Sequence, residues 1–405
     1  MAGGKITGRR AAGWLAAVCL AFSCCVPAAA ETAAGEVFVS ERISRNYTKV
    51  SAGYTLPAYT GEDIRLVPEE AVTDAGSAEW TGETMGYPGT QVLRVHYGDT
   101  VRMKAEIPED GLYAVRLDYY SYDHDAEPDR QTVLPDRIAL TVDGEFPFYE
   151  CRSLKFESSW IRTAVSSYDR YGDEMVALPA KQAEWNTKYL TDGTGRRSEP
   201  LLVELSAGSH ELALTVTEGN FLLGDITFCA APEIPQAGTP QEAEGGQLVT
   251  LQGEEFLSAN SSSIHGVMEY DAAIEPYEVE HTRLNTIDSD SFKTAGDRVT
   301  WQAEIPEDGW YRIALNYRQS DKTDFPVFAD FEVDGEIPSR AFADYPLAYG
   351  ASWQRHTLQD ADGEKLSVYL TKGTHTLSLR ISIAPLYHED VSPKFHHFHF
   401  DIVCC

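Results

Sequence analysis

The chain has 405 residues, 43% of them hydrophobic, with 33 Lys and Arg against 63 Asp and Glu, a formal net charge of −30. That length supports two domains of ordinary size. The charge excludes a nucleic-acid partner, since phosphates need a basic footprint, and it fits an exported protein that self-repels in solution.

Residues 1–30 read as a secretory signal, with Lys5, Arg9 and Arg10 before an apolar run from Ala11 to Phe22. Two processing routes fit: cleavage after Ala28-Ala29-Ala30, or lipidation of Cys24 behind the loose lipobox Ala21-Phe22-Ser23. No segment approaches the ~20 apolar residues of a membrane span. The mature protein is therefore expected to be secreted or held at the cell surface by an N-terminal lipid. Cys151, Cys229, Cys404 and Cys405 lie beyond the signal. Export permits disulfides, but four scattered cysteines are no framework and their pairing stays open.

Residues 31–60 show no clear period and read as an arm. A repeat follows. Gly98-Asp99-Thr100-Val101 leads into Ala105-Glu106-Ile107-Pro108-Glu109-Asp110-Gly111-Leu112-Tyr113. The same pattern returns 198 residues later, from Gly296-Asp297 to Ala303-Glu304-Ile305-Pro306-Glu307-Asp308-Gly309-Trp310-Tyr311. A repeat this long is a domain, not a solenoid unit. Domain one spans 61–230, a Pro-rich linker spans 231–245, and domain two spans 246–405. Within each, alternating strands are broken by tight turns. Pro306-Glu307-Asp308-Gly309 is one turn, and Asp143-Gly144 and Asp334-Gly335 carry the type I′ hairpin signal. A further matched pair is Gly208-Ser209-His210 and Gly373-Thr374-His375. No amphipathic helix longer than two turns is evident. The expected fold is all-β: two antiparallel jelly-roll β-sandwiches in tandem.

The shared pattern runs through the turn motif, Val-Asp-Gly-Glu, Asp360-Ala361-Asp362-Gly363-Glu364 and Tyr369-Leu370-Thr371-Lys372-Gly373. It resembles galactose-binding-like β-sandwiches, carbohydrate-binding modules among them. More closely it is similar to the N-terminal paired sandwiches of some Firmicutes extracellular solute-binding proteins of sugar ABC transporters. Leu251-Gln252-Gly253-Glu254, Arg283-Leu284-Asn285-Thr286-Ile287, Lys293-Thr294-Ala295-Gly296 and Tyr317-Arg318-Gln319 carry that likeness. It covers nearly the whole chain after the signal. It implies a bacterial exported protein that binds a glycan. Those transporter proteins continue into a two-lobed domain, whereas the sequence here ends at Cys405, which puts delivery to a permease in doubt.

Sugar recognition needs flat apolar rings beside a few polar groups. Trp301 and Trp310 fall inside strand patterns and are expected in the core. Trp160, Trp185 and Trp353, with Tyr349 nearby, sit in loop-like stretches and are the candidate platforms. The bland alternative is that these tryptophans anchor the sandwiches. Arg318 and Gln319 follow a strand ending at Tyr317 and are candidates for sugar hydroxyls or a carboxylate; the alternative is a solvated strand end. The resemblance also implies a structural calcium ion between first and last strands, with Glu69 and Asp225 as ligands in domain one and Glu254 and Asp401 in domain two. His397, His399 and Asp401 share one face of a strand, but two imidazoles and a carboxylate read better as an ordinary polar edge than as a zinc or copper site. Asp360-Ala361-Asp362-Gly363-Glu364 lacks the full ligand set of an EF-hand and reads as a turn, and Asp123 to Pro128 fails likewise. No nucleophile elbow, zinc-protease motif, P-loop or dinucleotide fingerprint occurs. The expected function is a non-catalytic carbohydrate-binding protein holding a polysaccharide through two modules, with avidity from the pair. A structural or protein-contact role at the cell surface, or membership in a sugar transporter, is the alternative.

Overall fold

The structure is a computed structural model, and it describes residues 41–122, 134–162, 167–195, 197, 199–236, 247–320, 325–383 and 399–404. The signal, the Asp123–Pro128 stretch and His397 lie outside the described residues, as do the side chains of 399–404. The chain forms the expected all-β architecture. Among the described residues, the α-helices are the short turns Glu41–Ser44, Tyr47–Ser51 and Pro68–Ala71.

Domain one is a pair of antiparallel sheets. One runs in the order 72–74, 100–107, 208–218, 136–142, 154–156. The other runs 185–189, 111–121, 221–229, 92–95, 79–81, with 64–66 and 203–205 paired alongside. Consecutive strands such as 100–107 and 111–121 lie in opposite sheets, the winding that closes a jelly roll. Alternation builds the core: Val101, Met103, Ala105 and Ile107 are buried on one strand, and they join Tyr113, Leu117 and Tyr119 of the facing sheet in a single cluster. Domain two repeats this around Trp301, Tyr317 and Leu379. Trp301 is fully buried, and its indole N–H donates to the carbonyls of Gln252 and Gly253, both at 3.1 Å. Trp310 departs from expectation. It is 41% exposed, and it crosses Tyr369, 51% exposed, on the paired strand with ring centroids 5.5 Å apart. Tyr311 and Ile313 point inward, so period-two geometry sends Trp310 out.

The repeated motifs are structural. Asp143 and Asp334 both sit at φ +52°, as the first central residue of a type I′ turn requires. Each carboxylate grips the matching His from the other motif: His210 Nδ1 to Asp143 at 2.7 Å, and His375 Nδ1 to Asp334 at 2.6 Å. The other ring nitrogen meets the carbonyl of Ser206 or Thr371, each at 2.9 Å. Asp110 and Asp308 accept the backbone N–H of Ala207 and Lys372. The Tyr113 and Tyr311 hydroxyls close the Pro-containing turns on Glu109 and Glu307 carbonyls at 2.6 and 2.8 Å.

The two copies are not equal in length. The hairpin Asp residues are 191 positions apart but the Gly-x-His motifs only 165, so domain one carries 26 additional residues between them. They form an arm, 157–182, that leaves domain one. Its strand Ser159–Arg162 pairs with both Pro179–Gln182 and Ser258–Ala259, so a sheet of domain two gains two strands from domain one. Beneath the arm, Glu157 lies 3.2 Å from Lys155 and 3.6 Å from Lys188. Burial alone would raise the Glu157 pKa, but Lys188 and Lys155 outweigh it and hold it at about 2. Asp297 of domain two, close by, is pushed up to about 6 by burial.

Candidate functional site

Trp185 and Trp353 occupy matching places. Each is on the end strand of its sheet order, Trp185–Tyr189 beside Gly111–Ser121 and Gly350–Thr357 beside Ile313–Gln319. Both are therefore on strands, not in the loops expected, and both are half-buried.

In domain one, the core takes Leu117, Tyr119 and Ser121, which leaves Asp118, Tyr120 and Tyr122 on the opposite face. Trp185 is in register with Tyr120, their rings 5.6 Å apart. The 82–90 loop brings Tyr87 onto the Trp185 ring at 4.2 Å, tilted by 37°, and the indole N–H donates to the Thr84 carbonyl at 3.0 Å. Tyr87 is fixed at its far end: its hydroxyl donates to Asp118 at 2.6 Å and accepts the Asp225 N–H at 3.0 Å. Burial, followed by the Asp118 bond, raises the Tyr87 pKa, so the hydroxyl stays protonated. Gly224 permits this contact, for a Cβ there would stand 2.8 Å from the Tyr87 ring. Thr187 donates to the other Asp118 oxygen at 2.5 Å. Glu184, its pKa raised by burial, accepts from Gln182 at 2.7 Å. An aromatic pair thus stands beside a hydroxyl and two carboxylates. Such a surface can stack a ring of apolar C–H groups and hydrogen-bond its hydroxyls.

In domain two the place of Tyr120 is taken by Arg318, 198 residues on. Its guanidinium stands 5.3 Å from the centre of the Trp353 ring and donates to Glu269 at 3.0 Å. Tyr349 is half-buried on the link into the Trp353 strand. Gln319 is fully buried and its amide donates to the Phe325 carbonyl at 2.7 Å, so it is a structural residue and not a group turned to solvent. The strand continues through Gln319, beyond the Tyr317 end expected.

Trp160 goes elsewhere. It is 4% exposed, in the arm strand opposite Ala259, packed where the domains meet. There Arg162 donates to the Glu254 carbonyl at 2.5 Å. No face of Trp160 is available to stack a sugar.

The two calcium candidates of domain one have other partners. Asp225 is ion-paired with Arg65, whose Nε lies 2.8 Å away. Glu69 accepts from the Thr90 hydroxyl at 2.8 Å and the Gln91 N–H at 2.9 Å, fixing that turn, and these bonds lower its pKa. Glu254 is buried. Asp401 lies opposite Asn316 in the strand register, its side chain outside the described residues. Among the described residues no three His, Cys, Asp or Glu side chains converge as a metal site. Glu69 and Asp225 are thus engaged by the 90–91 turn and by Arg65. Asp360 accepts the N–H of Asp362 and Glu364, both at 2.9 Å, which makes the 360–364 segment the turn expected.

The sequence reading missed Tyr87, Tyr120, Asp118 and Glu269. For two of them a signal was present: in Asp118-Tyr119-Tyr120, inward Tyr119 assigns both neighbours to the outer face. Tyr87 and Glu269 come from loops, and only the fold brings them in.

No protein family matches the chain by sequence, and no curated protein matches it. Among solved structures, it is similar to a family 35 carbohydrate-binding module from Clostridium thermocellum, at 14% identity over 39% of this chain and 97% of the other, with a TM-score of 0.25. A carbohydrate-binding module of Cellvibrio mixtus lichenase 5A, in complex with cellotriose, gives 16% identity over 42% and 98%, with a TM-score of 0.24. A GH26-CBM35 beta-(1,4)-mannanase from Podospora anserina gives 14% identity over 44% of this chain, with a TM-score of 0.26; the match spans 30% of the mannanase.

Proposed function

We propose that this is an exported, non-catalytic carbohydrate-binding protein that holds a glycan or polysaccharide on the outer faces of its two sandwiches. The observation that supports it best is the Tyr87–Trp185 pair, locked by Asp118 and half-open to solvent, with Trp353 and Arg318 in the matching place. A core tryptophan needs no such surround. Trp301 shows the contrast: it is sealed in, with backbone carbonyls alone as partners.

The test is retention of residues 31–405 on a panel of glycans and neutral polysaccharides, with Trp185→Ala and Trp353→Ala as variants. Retention by the wild type, weakened in either variant, supports the reading. A folded wild type that nothing retains sinks it. The protein-contact reading would then lead, and Trp160 favours that reading to the extent that one expected platform serves as a domain joint. Repeating the panel with calcium and with chelator tests the ion independently; retention lost with chelator would support a bound ion, and equal retention would count against it.

A further inference from the structure

The arm does more than join the domains. Beyond its paired strands it carries a small hairpin, Ser167–Tyr168 with Glu174–Met175, which has no counterpart among the described residues of domain two. This hairpin is bound to the 277–284 segment of domain two by reciprocal bonds. Glu174 N–H donates to the Thr282 carbonyl at 3.0 Å, Thr282 N–H to Asp173 at 2.7 Å, and Leu284 N–H to the Glu174 carboxylate at 2.9 Å. Arg283 reaches back to the Gly172 carbonyl at 2.7 Å and pairs with Glu278 at 2.8 Å. His281 lies against Gly172, where a Cβ would meet its ring at 3.3 Å.

Over this rigid seam stand two tyrosines that no core requires. Tyr168 is 57% exposed with the Arg283 guanidinium 5.1 Å from its ring centre; Tyr171 is 63% exposed with Arg170 at 4.5 Å. We infer that this seam is a further glycan-contact surface, assembled from both domains, which takes a neutral polysaccharide chain. The inference rests on the function proposed above and adds a place where the chain lies.

The occupant follows from the chemistry of the seam. A protein partner asks for a contiguous core depleted of charge. Here Tyr168 and Tyr171 are each flanked by an arginine, and the other exposed apolar side chains of these segments, Met175, Leu178, Tyr277 and Val279, are interspersed with charged residues, the alternation of apolar face and polar edge that a pyranose presents. Asp169, Asp173, Glu174, Glu278 and Glu280 outnumber Arg170 and Arg283, so the seam is acidic and repels a polyanion. The net charge of −30 disfavours a polyanion. The backbone bonds across the seam hold the rings in place before any ligand arrives, which spares the ordering cost of binding.

The experiment uses residues 31–405 and the neutral polysaccharide that the panel retains best, with affinity measured for Tyr168→Ala/Tyr171→Ala, Trp185→Ala/Trp353→Ala and all four together. Both tyrosines are exposed, so the first variant should melt as the wild type does. We expect it to bind about tenfold more weakly, the order of magnitude for removing two stacking rings. The tryptophan variant should keep a residual affinity that the fourfold variant loses. Wild-type affinity in the tyrosine variant would overturn the seam surface and leave the proposed function standing. A wild type retained on nothing would overturn both.

Discussion

The two His–Asp staples make a pH prediction whose sign follows from the structure. Burial would lower the His210 pKa, but its bonds to Asp143 and the Ser206 carbonyl outweigh that and raise it above 6.5. His375 is raised chiefly by Asp334. Asp143 is lowered below 3.8 by the Glu211 N–H and by His210. At Asp334, burial is outweighed by the Thr376 N–H and His375, and the result is again a lowered pKa. A raised imidazole stabilises the fold fully below the unfolded pKa and loses that contribution as pH rises through the folded one. A lowered carboxylate contributes above its unfolded pKa and is lost as pH falls through the folded one. Both terms are therefore complete between about pH 4 and 6.5, the ordinary values of the two groups. The carboxylates are about half exposed, 54% and 52%, so solvent screens the pairs. At ~0.2–1 kcal/mol for each exposed pair, each domain gains about 0.5 kcal/mol from its one staple, which corresponds to roughly 1–2 °C in melting temperature for a domain of this size. The assay is thermal melting from pH 5 to 9 for wild type and for His210→Gln/His375→Gln. The wild type should lose that increment relative to the variant between pH 6 and 9. Parallel profiles would refute the assignment of the staples, since hydrogen bonds lost on substitution shift the curve without changing its slope.

Two further outcomes are expected. Trp301→Ala should cost about 3–5 kcal/mol, as for a large side chain removed from a packed core, while Trp310→Ala should cost under about 1 kcal/mol; urea titration of both distinguishes them, and equal losses would contradict the outward placement of Trp310. Gly224→Ala should displace Tyr87 and open the Trp185 site, read as a red-shifted and more quenchable tryptophan emission with little change in far-ultraviolet circular dichroism.

What the sequence made legible was what is local. Period-two alternation and the Asp-Gly turns each involve neighbours along the chain, and they led to the sandwiches. The same alternation, carried one residue further from Tyr311, would have placed Trp310 outside. The strand at Trp353 was hidden for a physical reason: Gly350–Thr357 is an edge strand without clean alternation of burial, so no pattern marks it. The arm was half visible. The shortening of the repeat offset from 191 to 165 reveals an insertion, but its destination depends on an open edge at Ser258–Ala259 that lies far along the chain. The pairing of Asp225 with Arg65 and of Glu69 with a turn was not legible, because a carboxylate serves equally well as a metal ligand or as an acceptor for Arg or a backbone N–H, and sequence does not say which.

The shared sheet has a consequence for how the protein is made. Ser159–Arg162 leaves the ribosome well before the strand it pairs with, for Ser258 follows Arg162 by 96 residues. At ~5–20 residues per second that interval is roughly 5–20 s, during which Trp160 and an unpaired strand edge wait for a partner not yet synthesised. Domain one can close its own sandwich in that time, but its arm stays unfinished until domain two arrives. Any cell that makes this chain must protect that edge through synthesis, and any attempt to produce domain two by itself will leave the complementary edge bare.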